Sequence, residues 1–170
     1  MTGTVLWVMP FLIAAVLLES VVLPGVSGAR FRVDAALVIV IGWATIRGWE
    51  EGLLAGLIAG LTADFLSAAP FGLQMVRLGT VGVLAGVLMP RLARSSSVFP
   101  IAAAVAGSLV AFFVGVLGLQ AAGWAVSWEQ TLLREVIPSA LLAGACMAVV
   151  FPLIRALVRR TLTPSEDAVP

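Results

Sequence analysis

Apolar runs of about 20 residues recur along the whole chain, and only short polar breaks separate them. They cover Val5–Pro24, Val33–Trp49, Gly52–Ala68, Leu73–Met89, Val98–Ala122 and Thr131–Leu157. As a helix, a run of this length crosses a hydrocarbon layer roughly 30 Å thick. Charged residues make up 11% of the sequence and mean hydropathy is +1.13, whereas soluble domains carry roughly 25% charge. Strands of a membrane barrel would need about 10-residue alternating segments, which these continuous runs are not. The expected fold class is therefore an all-α integral membrane protein, a compact bundle of about six transmembrane helices. One domain is expected over residues 1–160, with residues 161–170 as a disordered cytoplasmic tail.

The first run resembles a signal peptide only superficially. It lacks a basic leading region and carries Glu19 late in its length, so it is read as a retained span. Six spans put both termini on one side. With the termini inside, the inner segments hold Arg47, Arg91, Arg94, Arg155, Arg159 and Arg160, against Arg30 and Arg32 outside. The arginine bias points to cytoplasmic termini.

Several chemistries lack their residues. The sequence has no His, Tyr or Lys, which removes most acid–base, Schiff-base and His-metal chemistry. Cys146 lies in an apolar run and reads as a packing residue. Glycine-rich runs occur without the lysine of a phosphate-binding loop. No enzyme, cofactor or metal is expected, and a net charge of +1 gives no indication of nucleic acid as a partner. Membrane lipid is the expected surrounding.

Within the third run Gly52, Gly56 and Gly60 repeat every fourth residue, with Ala55, Ala59 and Ala63 beside them on a helical wheel. Gly82 and Gly86 repeat the spacing in the fourth run. Small residues at this interval let helix backbones approach closely, either inside the bundle or at a partner's helix.

Charged residues inside the runs form a second pattern. Glu19, Asp64, Arg77, Arg134 and Glu135 all fall toward the outer half under this topology. Unpaired charge is expensive there, so mutual pairing is expected, with Asp64 meeting Arg77 across the Ser67–Gly72 turn. Such a network can fix helix register, line a polar cavity for a ligand or a partner's charge, or form an ion pathway.

The segment Arg47-Gly48, an acidic pair, then G-x-x-x-G-x-x-x-D-x-x-S-x-x-P-x-G-L resembles the MreD family of bacterial rod shape-determining membrane proteins. Gly56, Gly60, Asp64, Ser67, Pro70, Gly72 and Leu73 carry the match, followed by Val81–Gly86, where Val83 stands at a commonly aromatic position. The resemblance implies a non-enzymatic scaffold in the cytoplasmic membrane that binds MreC. Through MreC it would connect the MreB cytoskeleton to RodA, a class B penicillin-binding protein and peptidoglycan synthesis. The family is also similar in fold to the substrate-binding subunits of energy-coupling-factor transporters, which supplies the alternative of a vitamin-binding transporter subunit.

Overall fold

The computed structural model describes residues 34–92, 98–124 and 136–162, together with residues 10, 12–14 and 16–17. Regular structure among the described residues is helical throughout. The helices are α1 (Ala35–Arg47), α2 (Trp49–Leu66), α3 (Leu73–Leu92), α4 (Val98–Ala121) and α5 (Ile137–Leu162). They correspond to the second through sixth apolar runs. Leu12 and Val16, from the helical residues before them, are buried in the same core.

α1 is the centre of the molecule. Its sequence holds the β-branched stretch Val38-Ile39-Val40-Ile41, which in isolation would suit a strand. As a helix it touches α2, α3, α4 and α5, so apolar residues on every side find cover. Leu37, Val38, Val40, Ile41 and Trp43 are each 2% exposed or less. The helix starts at Asp34, whose carboxylate accepts the Leu37 N–H at 2.9 Å and satisfies one of the donors orphaned at a helix start. It stops at Gly48, where φ is +94° and the N–H closes on the Ala44 carbonyl at 2.8 Å. A side chain is disfavoured in that backbone region.

Gly48 is also the residue from which α2 departs, and its carbonyl accepts the Gly52 N–H at 3.0 Å. One residue thus joins the two helices. Asp34 at the start of α1 and Ser67 just past the end of α2 line a common cavity, so the pair folds back as a hairpin. α2 packs on α1 and most extensively on α3, while α3 continues to α4 and α4 to α5.

Two prolines lie within helices. α3 passes through Pro90 to Leu92, and α5 accommodates Pro152 within its length. A proline removes one backbone donor and crowds one carbonyl, which neighbouring helices can offset in a membrane setting. Pro138 sits in the first turn of α5. α5 runs to Leu162, two residues into the stretch expected as tail; residues 163–170 lie outside the described residues.

Among the described residues, two helices are long and apolar enough to cross a membrane, Phe99–Ala121 of α4 and Ile137–Ala156 of α5. Their outward positions are apolar, with Phe113, Leu117, Leu141, Val149 and Leu153 exposed.

Candidate functional site

The α2–α3 hairpin brings the repeated glycines face to face. A Cβ built on Gly52 would stand 2.6 Å from the Gly82 carbonyl oxygen and 2.6 Å from Ala44 Cβ. One on Gly56 would strike the Leu78 carbonyl, and Gly79 Cα at 2.9 Å. One on Gly60 would lie 2.6 Å from the backbone of Gln74 and Met75. From the other helix, Gly82 meets the Gly52 backbone and Gly86 meets that of Trp49. The contacts step antiparallel along the hairpin, every fourth residue of α2 meeting the next turn of α3. Gly52, Gly56, Gly60, Gly82 and Gly86 are therefore spent on contact within the chain, backbone against backbone.

Asp64 lies where that hairpin turns. It is 4% exposed, and its carboxylate accepts three backbone N–H groups: Gly72 at 3.1 Å, Gln74 at 3.0 Å and Met75 at 3.2 Å. All three belong to the start of α3, where donors have no intrahelical acceptor and the helix dipole favours an anion. Ser67 ends α2, and its Oγ accepts the Ala69 N–H at 3.0 Å to shape the turn. Pro70 offers its carbonyl to Leu73 N–H at 3.2 Å. Gly72 supplies a φ of +93°, and Leu73 is the first helical residue. The motif Asp64, Ser67, Pro70, Gly72 is a capped corner between α2 and α3.

The ion pair expected between Asp64 and Arg77 is replaced by another. Arg77 pairs with Asp34 at the start of α1, and its Nη1 donates to Gln74 Oε1 at 2.9 Å. The physical reason is proximity to a different set of donors. Asp64 overlies the open first turn of α3, and three N–H groups occupy its oxygens. Arg77 lies one turn further along, lining the cavity with Asp34. Glu19, Arg134 and Glu135, the other expected members of this charge cluster, lie outside the described residues.

The Asp34–Arg77 pair lies in the wall of a cavity at this end of the bundle, with a volume of about 530 Å³. α1, the α2–α3 corner and α3 contribute its most polar groups, and α4 and α5 a largely apolar side with Ser108 and Ser139 set into it. Sequence reasoning did not connect Asp34, Gln74, Ser108 or Ser139 with any site. The signal for Asp34 was available, since an acidic residue at the head of an apolar run is a helix-start signature.

A second charged group lies near the α1–α2 junction. Arg47 grips Glu51 with two hydrogen bonds, Nε to Oε2 at 2.9 Å and Nη2 to Oε1 at 2.7 Å. Its guanidinium stands 6.0 Å from the centre of the Trp43 ring, within cation–π range. Glu51 is 9% exposed, so this arginine is held over the one-residue link at Gly48. Among the described residues no group of three His, Cys, Asp or Glu side chains could hold a metal ion.

Comparison with known proteins matches the chain to a family model. No curated protein and no solved structure matches the chain. The family model described as "rod shape-determining protein MreD" matches residues 1–161, a stretch that contains the glycine hairpin, the Asp64 corner and the cavity. The chain belongs to the MreD family of membrane proteins, whose role is rod-shape determination.

Proposed function

We propose that this protein is a non-enzymatic scaffold of the cell-elongation complex in the bacterial cytoplasmic membrane. In this reading it is a bundle of about six spans with both termini cytoplasmic, similar in fold to the substrate-binding subunits of energy-coupling-factor transporters. It docks MreC by helix packing and helps couple the MreB cytoskeleton to peptidoglycan synthesis by RodA and a class B penicillin-binding protein. The observation that carries the docking is the uncovered apolar surface of α4 and α5. Only 22% and 28% of their most apolar stretches are buried within the chain. Lipid covers such a surface, and so does a partner helix. Because the α2 and α3 glycines are already occupied by each other, docking falls to small residues that remain exposed. Ala102 and Ala106 on α4 and Ala145 and Ala148 on α5 are of this kind, and they permit close helix approach.

Co-extraction from the native membrane tests the reading. MreC is expected to co-purify with the tagged full chain in mild detergent, and the structure of that complex would also test the six-span bundle. Recovery of the chain without MreC, where a control membrane pair stays together, would overturn the docking.

A further inference from the structure

The corner between α2 and α3 turns its polar group inward and its largest apolar groups outward. Asp64 is 4% exposed, whereas its neighbour Phe65 is 73% exposed and Phe71, across the turn, 66%. The two rings meet edge to face with centroids 5.5 Å apart. Leu66 and Val76 beside them are exposed as well. No charged residue falls between Phe65 and Val76. The stretches that follow the next two helices differ, with Arg94 after α3 and Glu129, Arg134 and Glu135 after α4. At the opposite end of the hairpin, Glu50 is exposed.

Two lengths set the depth of this tip. Phe65 lies about 22 Å along α2 from Glu50 at 1.5 Å per residue, against a hydrocarbon layer of roughly 30 Å. A Cβ on Gly118 would strike the Leu73 side chain, which puts the corner level with the last turn of α4. The exposed Trp124 comes after that turn, and Trp collects at the membrane interface. The corner stops short of it. Its backbone also suits a place without bulk water. Seven of the nine N–H groups from Ser67 to Val76 are bonded within the corner, and Ala68, one of the other two, lines the cavity. Irregular backbone persists at membrane depth when it is satisfied by the protein or borders a wet cavity. We propose that this corner is immersed in the membrane, with Phe65 and Phe71 inserted among lipid acyl chains beneath the headgroups of the leaflet opposite Glu50. This placement rests on the multi-span bundle proposed above, and a control at Leu84 tells the failure of one from the failure of the other.

Spin labels report the depth. Cys146 is the sole cysteine of the sequence, so Cys146→Ala gives a background in which Phe71→Cys, Leu84→Cys and Glu50→Cys each carry one label. Leu84 lies midway along α3 and is exposed. The full-length variants are reconstituted in vesicles of palmitoyl-oleoyl phosphatidylethanolamine and phosphatidylglycerol, and circular dichroism checks their fold. Power-saturation EPR then compares collisions with oxygen, which concentrates among acyl chains, and with a nickel chelate, which stays in water. The oxygen-to-nickel ratio at Phe71 is expected to exceed that at Glu50 severalfold and to share the lipid-like sign found at Leu84. A label on Phe65→Cys gives the same reading if Phe71→Cys does not fold. A ratio at the corner as low as at Glu50, with Leu84 high, puts the turn in water and overturns the immersion. A low ratio at Leu84 as well removes the hairpin from the membrane and overturns the bundle with it. Few collisions with either reagent at Phe71 and Phe65 would mean that protein covers the tip, which overturns acyl chains as its occupant.

Discussion

Burying a carboxylate strips it of water, and at Asp64 three backbone N–H groups stand in for that water. Removing the acceptor would strand those donors in a setting where water replaces it poorly. Asp64→Ala is expected to lower unfolding stability by about 2–5 kcal/mol, the sum of a lost cap and partly unsatisfied donors. Asp64→Asn is expected to cost less, about 1–2 kcal/mol, because one carbonyl oxygen remains to accept. Thermal or denaturant unfolding of the three proteins in one detergent measures both, and wild-type stability in Asp64→Ala would refute the capping role. The sequence marks Asp64 clearly, since a carboxylate near the end of an apolar run stands out. Its partner is not legible in the same way. Side-chain charges can be read from letters and suggest Arg77, whereas orphaned N–H groups belong to every helix start and appear in no letter. Asp34, by contrast, is readable as a cap from its place at the head of an apolar run.

At the scale of the helix, the glycine spacing specifies how α2 and α3 meet. A four-residue repeat puts one small residue per turn on a single face, and two such faces close backbone to backbone. Gly56→Ala and Gly82→Ala each push a methyl group against a facing carbonyl or backbone atom. Each is expected to destabilise the protein by about 1–3 kcal/mol, the usual range for overpacking. Gly79→Ala and Gly115→Ala serve as controls, because their added Cβ atoms meet nothing nearer than 3.5 Å and 3.7 Å. They are expected to be neutral, or stabilising by up to about 1 kcal/mol through helix propensity. Equal loss at all four positions would show that glycine is needed for flexibility and not for close approach. The repeat on α2 and α3 was readable, as was the turn between them. Which faces meet was not, because the wheel of α2 gives a small half without saying what lies across from it. The fate of Pro90 and Pro152 was equally hidden, since a proline's effect depends on neighbours distant in sequence.

The whole molecule is arranged around a short helix. Apolar runs reveal that helices exist, yet α1 reads like any other run, and nothing in its letters says that, among the described residues, it touches α2, α3, α4 and α5 alike. Its central place follows from pairings that only the folded chain contains: the single-residue link to α2, the ion pair to α3 at one end, and the covering faces of α4 and α5. The same distinction applies to the cavity. Its polar groups are scattered from Asp34 to Ser139 and converge only when the hairpins are in place.

α1 has 13 residues, a length of about 20 Å at 1.5 Å per residue, against a hydrocarbon layer of roughly 30 Å. It is thus a poor independent passenger during biogenesis. Emerging alone from the translocation machinery, it has neither the length to bridge the bilayer nor the neighbours that cover it later. Stable insertion is expected to wait until α2 and α3 arrive, so these three helices enter the membrane as a cohort. A sidedness reporter fused after residue 47 should then be found on both faces of the membrane, and one fused after residue 92 on a single face. Uniform sidedness at both fusion points would show that α1 commits to the bilayer by itself.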